Sequence, residues 1–128
     1  MPVGRIFAGT WLAYAAYYLC RKNFSVLMPS LATHLALTKD RLATLVFAYS
    51  VAYAAGQFLS GTLADRFGAK RIVLLGMITS AVCNLGLAAS GISPGGQALF
   101  LLFAGLQIGN GFGQSAGWPG LLKITANW

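Results

Sequence analysis

Three stretches of close to twenty residues carry no charged side chain at all: Leu42–Ala64, Ile72–Ala89 and Ala98–Gly117. An α-helix rises about 1.5 Å per residue, so each stretch is long enough to cross a hydrocarbon core of roughly 30 Å. Only 9% of the 128 residues are charged and 57% are hydrophobic, whereas a soluble domain carries about a quarter charged residues. The expected fold class is therefore all-α, a polytopic membrane helical bundle embedded in a lipid bilayer. The net charge of +7 does not point to nucleic acid as a partner, because the basic residues gather at the ends of apolar runs, where they act as topology anchors. Cys20 and Cys83 fall inside apolar spans and read as small packing residues rather than a disulfide or a metal pair. No metal or cofactor is expected.

A fourth apolar span precedes these, but it is interrupted by Arg21 and Lys22. Ending the helix at that pair would leave one span between it and the cluster Arg66, Lys70 and Arg71, placing the two most basic segments on opposite sides of the membrane. Reading the helix through to Leu31 puts Arg5 and the 66–71 cluster on one side, the cytosolic one, and leaves the break Ser93-Pro94-Gly95-Gly96 uncharged outside. The expected helices are thus about 6–31, 42–64, 72–89 and 98–117, separated by polar breaks. A cleaved signal peptide is not expected, because bulky Tyr18 and Leu19 stand where a signal peptidase needs small residues.

A cation held at mid-membrane costs roughly 2.5–3.5 kcal/mol on insertion scales, so such a pair is by default a site for an anion. Tyr14, Tyr17 and Tyr18 precede Arg21 by seven, four and three residues, which at about 100° per residue keeps them within about 60° of its face. A guanidinium flanked by phenol hydroxyls can hold a phosphate or carboxylate through several directed hydrogen bonds. The plainer alternative is that Arg21 pairs with an acid or with carbonyls of a neighbouring helix. The chain's two acids, Asp40 and Asp65, both lie at helix ends. Lys22 points about 100° away from Arg21 and either supports the site or snorkels to the interface.

Small residues recur every four positions in three helices: Ala52, Gly56, Ser60, Ala64; Gly76, Ser80, Asn84, Ala88; and Gly105, Gly109, Gly113, Gly117. Such rows let membrane helices approach closely, and the glycines make bending of the fourth helix possible. Gln107, Asn110 and Gln114 form one polar stripe, continued by Trp118. Amides there either bond across to another helix or line a water-filled path. Gln57 is a single amide in the second helix.

The segment Gly61-Thr62-Leu63-Ala64-Asp65-Arg66-Phe67-Gly68-Ala69-Lys70-Arg71 joins the second and third spans. A carboxylate at a helix C-terminus opposes the helix dipole, so Asp65 needs cations nearby or a donor from another helix. Arg66, Lys70 and Arg71 are available, and Gly68 permits a sharp turn. Asp40, by contrast, sits in a first helical turn behind Thr38, where capping explains it.

This loop resembles the signature between helices two and three of the major facilitator superfamily, Gly-x-Leu-Ala-Asp-Arg-x-Gly followed by basic residues, with Ala69 at a commonly basic position. Tyr14-Ala15-Ala16-Tyr17-Tyr18-Leu19-Cys20-Arg21-Lys22-Asn23-Phe24, then Met28-Pro29, resembles the first helix of its organophosphate:phosphate antiporter family. Gln114 to Pro119, through Gly117-Trp118-Pro119, resembles that family's fourth-helix motif. The resemblance implies a twelve-helix fold in two halves, of which this chain would hold the first four helices. It also implies exchange of a phosphorylated organic anion for inorganic phosphate by alternating access, without an enzymatic reaction; His34 has no nucleophile or ligand set around it.

By the same resemblance Arg21 binds the phosphate group, with Tyr14, Tyr18 and Gln114 at positions that line the same cavity; Lys22, next to Arg21, is a further candidate substrate-binding residue from its place in the sequence. Gly61, Asp65, Arg66, Gly68 and Arg71 would form the conformational motif. Gln57 stands where some members have a lysine, and Gly120 replaces a proline often found there. The family's second phosphate-binding arginine comes from a seventh helix that this chain lacks, so the chain is expected to be an N-terminal piece of a transporter. Some members of that family are sensors of sugar phosphates, an alternative reading. The implied location is the bacterial cytoplasmic membrane, multi-pass, with the N-terminus in the cytosol.

Overall fold

The computed structural model describes residues 3–90 and 96–127. Its regular structure consists of five helices, α1 (Val3–His34), α2 (Lys39–Phe67), α3 (Ala69–Ser90), α4 (Gln97–Ser115) and α5 (Gly117–Ala126). Helix α2 starts where capping chemistry sets it: the Thr38 hydroxyl accepts from the Arg41 N–H at 3.4 Å, with Asp40 in the first turn. It stops at Gly68, whose φ of +91° is open to a residue without a Cβ, and α3 begins at the next residue. Of the break at Ser93-Pro94-Gly95-Gly96, the first three residues lie outside the described ones. Gly96 immediately precedes α4.

The fourth expected helix departs most from the reading above. Instead of ending at Gly117, it breaks at Ala116 and resumes as α5 to Ala126. Pro119 supplies the reason, since it has no N–H to give the Ser115 carbonyl and its ring crowds that carbonyl. The Ala116 N–H reaches Gly113 O at 3.4 Å in a tighter turn, and Gly120 restarts the α ladder by donating to Ala116 O at 3.3 Å. The bend thus belongs to the proline, not to the glycine row. Pro29 in α1 is accommodated within a continuous helix.

Helix α4 is the centre of the bundle, packed against α2 on one side and α3 on the other, while α1 rests mainly on α5 and α3. The α2 row is buried throughout, at Ala52, Gly56, Ser60 and Ala64, and the Ser60 and Ser115 hydroxyls meet at 3.1 Å. On α3 the buried seam runs Val73, Gly76, Ser80, Cys83, Leu87, Ser90. A strict four-residue row drifts around a helix of 3.6 residues per turn, so Ala88 ends exposed. On α4, a Cβ at Gly105 would meet nothing among the described residues, whereas one at Gly113 would lie 2.8 Å from Gly76 O. Gly111, outside the expected row, also lies close against α2, with Tyr49 O 2.6 Å from where its Cβ would stand.

Two apolar clusters hold the ends. Phe24, Leu37, Leu42, Leu45, Leu87, Leu99 and Phe103 fill the end nearest the α1–α2 turn, and Tyr17, Val73 and Leu121 the other. The outward sides of the helices are apolar and open, Phe58, Leu74, Val82 and Leu85 among them, as lipid contact requires. Helices α2 and α3 are long and apolar enough to cross a membrane by length and composition alone; α1 carries Arg21 and Lys22, and α4 the amides Gln107, Asn110 and Gln114.

The α1–α2 turn stores a small strain, because Ala36 has φ +49°, a conformation that costs a non-glycine residue about 1 kcal/mol or more. Ala36→Gly is expected to stabilise the protein by about 0.5–1 kcal/mol. A rise in the thermal unfolding midpoint in detergent would register it, and an unchanged or lower midpoint would refute it.

Candidate functional site

Arg21 lies at the middle of α1, and two cavities meet at its side chain. The first, about 210 Å³, is bounded by Tyr14, Tyr17, Tyr18, Tyr53, Gln114 and Trp118. The second, about 170 Å³, is bounded on α1 by Lys22 and Ser25, on α2 by Tyr49 and Ser50, and on α4 by Gln107 and Asn110. Sequence order along the helices puts the first toward the end bearing Asp65 and the second toward the α1–α2 turn.

The guanidinium is held by aromatic groups rather than by an acid. Arg21 Nε donates to the Tyr49 hydroxyl at 3.3 Å, and Cζ stands 4.7 Å from the Tyr53 ring centre and 5.7 Å from that of Tyr18. Cation–π contact of this kind orients the fork without neutralising it. Tyr14 and Tyr18 pack ring to ring at 5.1 Å, Tyr14 meets Trp118 at 5.9 Å, and Tyr49 stacks on Tyr53 at 6.2 Å. The result is an aromatic frame around one half-buried cation that borders both cavities.

Among the residues singled out from sequence, Tyr14, Tyr18, Arg21 and Gln114 border the same cavity, and Lys22 borders the other. Tyr17 has a different part: buried to 5% exposure, it donates to the Val73 carbonyl at 2.7 Å and ties α1 to α3. Tyr49 and Tyr53 were missed. Their signal was a row of hydroxyl and amide groups at four-residue spacing, Tyr49, Tyr53, Gln57, in an otherwise apolar helix. The Gln57 amide donates to the Tyr53 hydroxyl at 2.9 Å, so Gln57 acts on the site through Tyr53.

The polar stripe of α4 divides. Gln114 donates to the Ser80 hydroxyl at 2.7 Å, and Ser80 in turn donates to Asn110 Oδ1. Asn84 donates to the same oxygen at 3.3 Å and to Ser80 O at 2.8 Å. These amides fasten α3 to α4, as polar groups between membrane helices do. Gln107 takes no part in that network.

At the α2–α3 turn the cation beside Asp65 comes from α5. Lys123 forms an ion pair with Asp65 and donates to Gly61 O at 3.0 Å, covering a carbonyl near the end of α2. Of the two alternatives, nearby loop cations or a donor from another helix, the structure takes the second: Arg66 lies over the Phe67 ring at 5.9 Å, and Arg71 is exposed. Helices α2 and α5 converge here because α5 continues past the Pro119 break, which the expected end at Gly117 had removed from view. A partly exposed pair contributes little stability; its consequence is to join the turn to α5, which carries Trp118 in its first turn. A Cβ at Gly61 would meet nothing among the described residues.

The family model of the Major Facilitator Superfamily matches residues 10–128. A probable hexose phosphate transport protein of Chlamydia trachomatis is 30% identical over 97% of this chain and 26% of its own length. The glycerol-3-phosphate transporter of Bacillus subtilis is 29% identical over 97% of the chain and 27% of its own length. The membrane sensor protein UhpC of Escherichia coli is 27% identical over 92% of the chain and 25% of its own length. The chain spans about a quarter of the length of these relatives. No solved structure matches it. An apolar helical bundle with a cation at its centre, matched by that model over nearly its whole length, is an integral membrane protein, and the chain belongs to the Major Facilitator Superfamily.

Proposed function

We propose that this chain supplies the phosphate-binding side of a secondary transporter that exchanges an organic phosphate for inorganic phosphate by alternating access. The observation that carries the reading is Arg21, held at mid-helix by tyrosines in a cavity to which the chain brings no carboxylate. A half-buried cation at mid-helix, to which the chain brings no carboxylate, finds its counter-charge in an anionic ligand. Arg21 is the phosphate ligand, Tyr14 and Tyr18 add hydroxyl donors beside it, Lys22 raises the local positive potential, and Gln114 fixes the α4 wall. Gly61, Asp65, Arg66, Gly68 and Arg71, with Lys123, form the turn that shifts between inward-open and outward-open states. The N-terminus and this basic turn face the cytosol of a bacterium, across its cytoplasmic membrane.

The names of two relatives, a hexose phosphate transport protein and a glycerol-3-phosphate transporter, support a phosphorylated substrate. The test is phosphate-loaded proteoliposomes containing the native protein that carries this chain. Entry of labelled phosphate driven by internal phosphate, and its stimulation by internal glycerol 3-phosphate or glucose 6-phosphate, is the expected result. The sensor relative favours a second reading, binding without turnover. Saturable binding of the same organic phosphates with no flux would decide for the sensor.

A further inference from the structure

A separate cavity of about 350 Å³ lies between α1, α3 and α5 and shares no bordering residue with the two that meet at Arg21. Ligand sites typically measure about 300–1,000 Å³. Its walls are apolar, with Ile6 and Ala13 on α1, Val73, Leu74 and Met77 on α3, and Leu121 on α5. The Thr10 hydroxyl there is turned back on its own helix, donating to Ile6 O at 3.1 Å and Phe7 O at 2.9 Å. A Cβ at Gly9 would meet nothing among the described residues, so this stretch of wall is open.

Two exposed cations complete the border, Arg5 in the first turn of α1 and Lys70 in the first turn of α3. A helix start carries partial positive charge, so a cation there is opposed and an anion favoured. The carboxylates of the chain do not answer it: Asp65 is paired with Lys123, and Asp40 opens α2 at the opposite end of the bundle. Topology asks only for cations at one end; it does not require two helices to bring them to one apolar cleft. Inorganic phosphate would leave the apolar walls unfilled. An apolar helix laid over the cleft would enclose two cations with no counter-charge, which is costly inside a membrane.

We propose that this cleft binds an anionic phospholipid of the leaflet at that end of the bundle, with the headgroup phosphate between Arg5 and Lys70 and an acyl chain along Gly9, Ala13 and Met77. Charge-assisted bonds to phosphate are the stronger kind, and basic pockets between membrane helices suit anionic headgroups. A zwitterionic headgroup carries its own cation, which the same two side chains repel. The inference does not depend on the transport reading, since it involves neither Arg21 nor the cavities beside it.

The test is native mass spectrometry of the native protein that carries this chain, in detergent, titrated with phosphatidylglycerol or with phosphatidylcholine of the same acyl chains. Phosphatidylglycerol is expected to bind at least about tenfold more tightly, as two cations near one headgroup allow. The double variant Arg5→Gln/Lys70→Gln is expected to bring the two lipids within about twofold of each other. Gly9→Leu changes no charge but fills the cleft; excluding about two methylene groups of the acyl chain should weaken phosphatidylglycerol by about tenfold. Equal binding of the two lipids by the wild-type protein overturns the proposal, and so does a double variant that keeps the preference. A Gly9→Leu variant that binds phosphatidylglycerol as well as wild type overturns it too, because attraction to a charged surface needs no cleft. Should the variants fail to insert, the wild-type protein still decides. A phosphatidylglycerol with a photoreactive acyl chain is expected to label residues 6–13 or 73–77, whereas labelling confined to other segments, as when a later helix of the protein fills the cleft, refutes the site.

Discussion

Arg21→Ala is expected to lower phosphate exchange by two to three orders of magnitude while the protein still inserts and folds. Removing one partner of a desolvated, hydrogen-bonded charge pair costs about 3–5 kcal/mol, and each 1.4 kcal/mol is about tenfold in affinity. Among the described residues the side chain gives the bundle one weak hydrogen bond, to the Tyr49 hydroxyl at 3.3 Å, so folding is expected to survive its removal. Arg21→Lys separates charge from shape. Lysine keeps the positive charge but loses the planar fork and the stacking on Tyr53, and exchange should fall by about tenfold or more, short of the alanine variant. Initial rates in proteoliposomes, with the inserted fraction measured by protease protection, check both. Near wild-type exchange in Arg21→Ala would remove Arg21 as the phosphate ligand.

Gly113→Val is expected to prevent assembly of the bundle. A Cβ at this position would stand 2.8 Å from Gly76 O and 2.9 Å from Ser80 N, both backbone atoms that cannot rotate away. The same contact viewed from α3 puts a Gly76 Cβ 2.5 Å from Gly113 O. Separating α3 from α4 by the width of a side chain would also pull Gln114 from Ser80 and Asn110 from Asn84. Overpacking costs about 1–3 kcal/mol and more where backbone must move, and loss of the bonded amides adds about 1 kcal/mol each. Together these approach the whole stability of a typical domain, about 5–15 kcal/mol. Gly105→Ala supplies the contrast. Its Cβ meets nothing among the described residues, and alanine in a helix is favoured over glycine by about 1 kcal/mol. Size-exclusion profiles in mild detergent should show Gly113→Val aggregated or absent and Gly105→Ala monodisperse. A monodisperse Gly113→Val would show that the α3–α4 contact tolerates separation.

The part played by each polar residue was settled by its neighbours across the bundle. Tyr17 and Tyr18 are adjacent in sequence and both border the first cavity, yet the Tyr17 hydroxyl is committed to Val73 O while Tyr18 faces the Arg21 guanidinium. Helical spacing gives an angle around one helix and says nothing of what stands opposite. The same limit hid Lys123, whose approach to Asp65 depends on α5 continuing after Pro119. Tyr49 and Tyr53 escaped notice because tyrosine is common in membrane helices and only proximity to Arg21 gives these two a role.

What the sequence determined by itself is whatever follows from local chemistry. Charge-free runs required membrane helices, Thr38 and Asp40 set the start of α2, Gly68 set its end, and a cation pair in an apolar span required an anion or a buried partner. What only the tertiary structure decided is which of those polar groups are satisfied. Asn110 and Gln114 share a stripe with Gln107, but Ser80 and Asn84 on α3 bond the first two, while Gln107 Oε1 has no hydrogen-bond partner among the described residues. Hydrogen bonding is directional and short in range, so a difference of one helical turn against a neighbouring helix separates a fastened group from an unpartnered one.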